Sequence, residues 1–246
     1  IDTLCKLASS DDKIFLLCGD LGYSVLEPFA DRFPNRFKNV GIAEQNMTAV
    51  ATGLAREGYK VFTYSIGNFP TLRCLEQIRY DVCYHQADVK IVAVGAGYAY
   101  GPQGVSHHTT EDIAVMRALP GMTICSPADA IEARAVANYL ATHSGPAYVR
   151  LNKSGEQNIH DPTEELLLVP GKPVPVRDGS RVAVLATGAI TAQAKAEMEI
   201  ADVDWALFSF PFVGGYGAPM LKDLASRFEI IVTIEEHQRT GGFGAS

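Results

Sequence analysis

The chain has 246 residues, 47 % of them hydrophobic, and a formal net charge of -7. That length holds one large domain or two smaller ones, and that apolar share is enough for a buried core. The acidic balance, with no basic cluster, excludes nucleic acid and anionic membranes as partners, because both need a basic face. No apolar run approaches the roughly 18 residues that span a bilayer, and the first residues lack a signal-peptide layout. Five cysteines (Cys5, Cys18, Cys74, Cys83, Cys125) are odd in number, have no C-x-x-C spacing and fall mostly inside apolar patterns. They read as reduced core or near-core residues, which points to the cytoplasm. The missing initiator methionine and the glycine-rich ending at Ser246 predict that the protein continues beyond both ends.

Ile14 to Cys18 is a compact apolar run closed by Gly19-Asp20, which predicts a buried strand opening into a loop. A short helix is expected over Val25 to Arg32, stopped by Pro34. Phe37 to Ile42 leads to Glu44, where a helical pattern with Met47, Val50, Ala51 and Leu54 on one face begins and runs to Gly58. Val61 to Tyr64 is the next strand, Leu72 to His85 has helical spacing through Leu75, Ile78, Val82 and Cys83, and Val89 to Val94 follows as an apolar strand. Glycines 95, 97, 101 and 104 with Pro102 make Gly95 to Thr110 an irregular loop. The first three faintly suggest a dinucleotide fingerprint, but the spacing is off by one and Pro102 breaks any following helix. Asp112 to Leu119, Thr123 to Cys125, Ala128 to Ala141 and Ala147 to Leu151 then alternate helix and strand. This β-α repetition predicts an α/β fold, a mainly parallel sheet with helices on both faces.

The composition changes beyond residue 153. Pro162, Pro170, Pro173 and Pro175, with several charges, make 154–181 read as a linker between a first domain over 1–153 and a smaller α/β domain over 182–246. Strands are expected there at Val182 to Leu185, Trp205 to Phe210 and Ile230 to Ile234, helices at Ala192 to Ile200 and Pro219 to Phe228. That second domain looks incomplete.

The most informative stretch is Val40-Gly41-Ile42-Ala43-Glu44-Gln45-Asn46-Met47, a strand-loop-helix junction with a carboxylate at the helix start. A glutamate in a helix's first turn is usually a surface charge favoured by the helix dipole. Here Ile42, Ala43 and Met47 predict a buried setting, in which a carboxyl keeps its proton or finds a partner.

Gly41 to Asn46, followed by Gly53-Leu54-Ala55 and Gly58-Tyr59, resembles the pyrimidine-binding domain of the transketolase family of thiamine-diphosphate enzymes. The likeness continues through Arg73 with Glu76-Gln77-Ile78-Arg79, Gly104-Val105-Ser106-His107, Glu111-Asp112-Ile113-Ala114, Pro127-Ala128-Asp129, Glu235-Glu236-His237 and Gly241-Gly242-Phe243-Gly244. Nearly the whole chain is covered in the family's order.

The resemblance implies thiamine diphosphate as cofactor and Glu44 as its acid. The matching glutamate of the family hydrogen-bonds a ring nitrogen of the aminopyrimidine, making the exocyclic nitrogen basic enough to deprotonate the thiazolium carbon. A carboxyl in an apolar site can stay protonated to donate that bond. Phe69 falls where the family stacks an aromatic on the pyrimidine, with Tyr64 as competitor and packing as the plainer role of either. Ile42 and Arg73 are assigned to the same cofactor site. Arg73, Glu76 and Arg79 also lie close enough on one helix face to pair among themselves.

His107 matches the family's histidine facing the substrate, able to hydrogen-bond a donor's carbonyl or hydroxyl and shuttle its proton. His108 beside it lacks further ligands at metal spacing, and no metal site is expected in this chain. Gln103 stands where transketolases commonly carry an aspartate that reads a substrate hydroxyl. Lys153 and Gly95 stand where they hold the acceptor's phosphate with arginine and histidine. With those losses, the resemblance implies an acceptor other than an ordinary sugar phosphate.

The family's Gly-Asp-Gly run, which holds Mg²⁺ on the cofactor's diphosphate, does not occur. The Mg²⁺ ligands are therefore expected on an amino-terminal, diphosphate-binding partner subunit, in a dimer of heterodimers. The leading reading is a split transketolase moving a two-carbon ketol unit from a ketose-type donor to an aldehyde. Alternatives are pyruvate-decarboxylating carboligation of the deoxyxylulose-phosphate synthase kind and a non-catalytic scaffold subunit.

Overall fold

A computed structural model describes residues 1–153 and 155–246; the linker residue Ser154 lies outside the described residues. The apolar runs of the first part become one sheet, from β1 (Ile14–Cys18), β2 (Phe37–Asn39), β3 (Lys60–Ile66), β4 (Val89–Val94), β5 (Thr123–Cys125) and β6 (Ala147–Leu151). Its order is β2-β1-β3-β4-β6-β5, and every neighbouring pair is parallel. Helix α1 (Asp2–Ser10) precedes β1; parallel strands need crossovers, and the chain supplies them with α2 (Glu27–Arg32), α3 (Glu44–Arg56), α4 (Leu75–Gln77), α5 (Asp112–Arg117) and α6 (Ala130–Thr142).

Side chains alternate across a strand, so each strand serves two cores. Leu17, Val61, Val89, Ile91 and Tyr148 pack with Met47 and Ala51 of α3, Ile78 and Val82, and Ile113 and Met116 of α5. Ile14, Leu16, Cys18 and Phe62 pack on the other face with Cys5 and Ala8 of α1 and with Phe29 of α2. Helix α1 was not anticipated, although Leu4 and Leu7 recur on one face with Cys5 and Ala8 and pack against this core. The helical spacing over 72–85 is realised irregularly, as a 3-10 turn (Leu72–Cys74), α4 and a π-helical turn (Ile78–Cys83) with Tyr84 N–H donating to the Arg79 carbonyl at 3.1 Å. Strand β4 is less apolar than expected. Lys90 is fully buried on it, its ammonium donating to the carbonyls of His143 (2.9 Å) and Gly145 (2.7 Å), which supply the partners that burial demands.

The second sheet has the order β10-β8-β9-β7, from β7 (Val174–Arg177), β8 (Val182–Ala186), β9 (Trp205–Ser209) and β10 (Ile230–Ile234), with helices α7 (Ile190–Ile200) and α8 (Ala218–Arg227). Strand β7 comes from the stretch expected to be a linker. It is the antiparallel edge of the sheet, where Pro175 is tolerated because an edge amide has no ladder to serve. Before it, Ile159 and His160 donate backbone N–H groups to Asp129 Oδ2 at 2.9 and 3.2 Å, fastening this stretch to the start of α6. The two lobes meet through main chain: Ser126 N–H donates to the Pro211 carbonyl (2.8 Å) and Val213 N–H to that of Ile124 (3.0 Å). Leu185, Phe208, Phe210 and Phe243 of the second lobe are continuous with the first core.

Candidate active site

The carboxyl ends of β1, β3, β4 and β6 lie level, Cys18 opposite Tyr64 and Val94 opposite both Ile66 and Leu151. Open α/β sheets bind ligands along such an edge, where loops leave the strands. Glu44 reaches it from the turn after β2. Gly41 takes φ +78°, a conformation that only glycine adopts freely, and Asn39 Oδ1 accepts from the Gly41 and Asp20 amides at 2.9 and 3.1 Å. The turn delivers Glu44 as the first residue of α3 with only 2 % exposure.

Its carboxyl is not in an apolar pocket. Arg73 NH1 donates to Glu44 Oε2 at 2.7 Å, and Ser65 Oγ lies 3.4 Å from Oε1. The expected charge partner of Arg73 on its own helix gives way to Glu44, because the loop after β3 brings the guanidinium across to α3. Ile42 is the second correction: at 79 % exposure it does not bury Glu44 but stands on the rim. Burial comes instead from the sheet beneath, where Gly19 and Ser65 lie against the Glu44 side chain, while the positive-φ turn at Gly41 leaves Ile42 on the outside.

From Glu44 a row of side chains crosses the edge. The Arg73 guanidinium sits 4.3 Å from the Phe69 ring centroid, and Phe69 meets the His107 ring edge-to-face at 5.2 Å. His107 lies 6.0 Å from the Tyr100 ring, over which Lys153 Nζ stands at 5.6 Å. Ser106 Oγ and His107 Nδ1 are 3.0 Å apart. Gln103 is exposed on the 3-10 turn Gly101–Gln103 of the same loop. Tyr64, the competitor of Phe69, is partly buried and packs against the core cluster that contains Leu16, Cys18, Leu26 and Phe29. Burial, helped by nearby Tyr100, pushes its hydroxyl up to about 12. His108 is occupied structurally, Nε2 lying 3.1 Å from the Gly101 carbonyl oxygen.

Two contributors escaped sequence reasoning. The Tyr100 ring fills the space above Gly95, where any Cβ would collide with it; the missing side chain at 95 was visible, its replacement from five residues away was not. Asn68 holds the histidine loop, its Nδ2 donating to the His108 carbonyl at 2.6 Å. An amide two residues after an apolar strand carried no distinguishing signal.

Residues 2–156 match the family model for the transketolase pyrimidine-binding domain. The chain belongs to the transketolase family. It is 34 % identical to one subunit of the apulose-4-phosphate transketolase of Phocaeicola vulgatus, over 99 % of this chain and 79 % of that protein. It is 36 % identical to the 6-deoxy-6-sulfo-D-fructose transketolase subunit SqwH of Clostridium sp. (strain MSTE9), over 79 % of this chain and 60 % of that one. A solved structure described as a split gene transketolase, inactive beta4 tetramer, superposes with a TM-score of 0.88 at 35 % identity, covering 99 % of this chain and 80 % of that chain. Thiamine-diphosphate chemistry is the family's, so the row from Glu44 to Lys153 can be tested for fit to that cofactor. Glu44 Oε2 is committed to Arg73, but Oε1 has only the long Ser65 contact and retains capacity for one more hydrogen bond. Phe69, half-buried beside it, presents a flat apolar surface. Both features fit the aminopyrimidine half. Among the described residues, no group of three or more His, Cys, Asp or Glu side chains could hold a metal ion, and no helix is long and apolar enough to cross a membrane.

Proposed function

We propose that this chain is the cofactor-activating subunit of a split transketolase, moving a two-carbon ketol unit from a ketose-type donor to an aldehyde acceptor. The observation that carries the reading is Glu44, buried at a helix start with one carboxyl oxygen uncommitted and a row of aromatic and imidazole groups beside it. Bound thiamine diphosphate would supply the nucleophilic carbon. Glu44 would hold or release a proton at Oε1 toward the pyrimidine ring, Phe69 and Ile42 would orient that ring, and Arg73 would fix the carboxyl. His107, packed between Phe69 and Tyr100, would exchange a proton with the donor's carbonyl or hydroxyl oxygen. Gln103 and Lys153 face the acceptor in this reading.

An amino-terminal partner would bind the diphosphate through Mg²⁺, pairing with this chain as a dimer of heterodimers. The exposed rim supports this: Ile42, Tyr98 and Val105 are open to solvent around the buried Glu44. The five free, buried cysteines support a cytoplasmic setting. The 1–153 unit would carry the pyrimidine-binding domain and 182–246 part of the family's carboxyl-terminal domain. Relatives named for a sugar 4-phosphate and a sulfosugar support an acceptor or donor outside ordinary pentose phosphates.

The test is calorimetric titration of thiamine diphosphate and Mg²⁺ into this chain alone and into its co-purified complex, with turnover of hydroxypyruvate and pyruvate measured beside it. Tight binding and hydroxypyruvate turnover only in the complex are expected. Preference for pyruvate would transfer the assignment to the deoxyxylulose-phosphate synthase kind of reaction, and absence of binding in both forms to a scaffold subunit.

A further inference from the structure

Outside the Glu44 site, buried charge concentrates where the two lobes meet. Asp112 opens α5 with no exposed surface, and its Oδ2 accepts from the Tyr148 hydroxyl at 2.6 Å and from Arg150 Nε at 2.7 Å. Its Oδ1 has no hydrogen-bond partner and faces His237 Nε2 at 3.9 Å. Arg150, on β6, is 2 % exposed. Its NH2 donates to two carbonyls, those of Thr109 and Glu236, each at 2.8 Å.

Those acceptors belong to different lobes. Thr109 closes the histidine loop, its N–H donating to the Gly97 carbonyl (2.9 Å) and its hydroxyl to that of Gly95 (2.7 Å), two residues from His107. Glu236 follows β10, and its side chain lies against Gly97, where an added Cβ would come within 2.6 Å of Glu236 Cβ. Gln238 N–H donates to the Thr110 carbonyl at 3.0 Å, a second tie between the same two segments. Arg117 NH1 adds a third, donating to the Gly241 and Gly242 carbonyls at 2.7 Å each.

A buried Arg-Asp pair is seldom better for stability than apolar side chains of the same volume, so its presence needs a further reason. A guanidinium offers donors in one rigid plane, which lets Nε meet a carboxylate while NH2 satisfies two separate carbonyls; an ammonium cannot copy that fork. We propose that Arg150 is a positioning residue that carries the docking of the second lobe into the shape of the histidine loop. Without it, the Thr109 and Glu236 carbonyls lose their shared donor, and the loop that packs His107 against Phe69 and Tyr100 loses one of its ties to the second lobe. Glu44, Arg73 and Ser65 lie on elements that Arg150 does not touch. The effect therefore falls on the donor side of the reaction and spares cofactor binding. The kinetic part of this inference rests on the transketolase reading of His107; the coupling between lobes does not.

The experiment compares wild type with Arg150→Lys, Tyr148→Phe and Phe243→Ala. Tyr148→Phe removes a bond to Asp112 but leaves both carbonyls held, and Phe243→Ala loosens the second lobe without touching the loop. Amide exchange at Thr109 and Gln238 is followed in the chain and in its partner complex, together with cofactor affinity, donor kcat and donor KM in the complex. Arg150→Lys and Phe243→Ala are expected to speed exchange at both amides by about tenfold or more. They should lower donor kcat/KM by a similar factor and leave cofactor affinity within about twofold. Tyr148→Phe should lower the melting temperature and change neither readout. Faster exchange at Gln238 without Thr109, or the same kinetic loss from Tyr148→Phe, would overturn the proposal and reduce Arg150 to a stabilising residue. If Arg150→Lys does not fold, Phe243→Ala alone decides whether the second lobe reaches the loop. A wild-type complex without ketol transfer would defeat the transketolase reading, while the exchange data would still decide the coupling.

Discussion

Among the described residues, two arginine-carboxylate pairs have a buried carboxylate, and they differ in the arginine's access to solvent. In the pair at the edge, Glu44 is buried but Arg73 is 44 % exposed, and one carboxyl oxygen keeps spare hydrogen-bonding capacity. In the pair at the lobe junction both side chains are buried, and Arg150 commits Nε to Asp112 and NH2 to two carbonyls. Burying both partners cancels charge and fixes geometry, while leaving one side open keeps a proton-handling group reachable. Under the proposed function, the same functional groups would serve chemistry in one place and architecture in the other.

The sharpest way to separate them is to neutralise each carboxylate. Glu44→Gln should reduce turnover of the complex by about 10²–10⁴-fold with little change in melting, measured by steady-state kinetics and calorimetry. Asp112→Asn should do the reverse first: it strands Arg150 without a counter-charge and is expected to cost about 3–5 kcal/mol, read from denaturant midpoints. Gly95→Ala probes the edge without touching either pair. At φ +99° the new methyl is strained and collides with the Tyr100 ring, so about 1–3 kcal/mol of stability and part of the donor affinity should be lost together.

The smallest effect belongs to another buried pair, His160 with Glu132 at 3.0 Å. Burial pulls the imidazole's pKa down from its usual 6.5, but the hydrogen bond and charge of Glu132, with Asp129 and Glu164, more than offset it, and the folded value is raised. A raised folded value means that the stabilisation is complete below the unfolded value and fades as pH rises through the folded one. Relative to His160→Gln, wild type should lose about 1 kcal/mol or less of unfolding free energy above pH 6.5, checked by denaturation at several pH values. A flat difference would show that this pair holds the 155–173 stretch without titrating.

Legibility followed how local each signal was. Strands β1, β4, β5, β6 and β10 could be read closely because short runs of consecutive apolar residues bounded by turn residues have few other uses. Helix α3 was legible for the same kind of reason, its apolar positions recurring on one face after a positive-φ glycine. Strand β7 was hidden by the prolines that an edge position permits, whereas α1 carries the helical spacing of Leu4, Cys5, Leu7 and Ala8 and was legible but not expected. Glu44, Phe69, His107 and Lys153 were named from motif positions, and the fold brings them into one row; of the other residues named for the cofactor site, Tyr64 packs, partly buried, against the core and Ile42 stands on the rim.

By itself, the amino-acid sequence determined the alternation of elements, hence the parallel sheet, the edge where its loops gather, and the acid at the start of α3. These depend on spacing and on residue type within a few positions. Only the tertiary structure decided that Arg73 answers Glu44, that Tyr100 covers Gly95, and that Arg150 joins Thr109 to Glu236. Those pairings close over separations of 29, 5, 41 and 86 residues in the case of Arg73, Tyr100 and the two Arg150 carbonyls. Long-range partners are chosen by which strand ends lie level in the sheet, and that register exists only once the chain has folded.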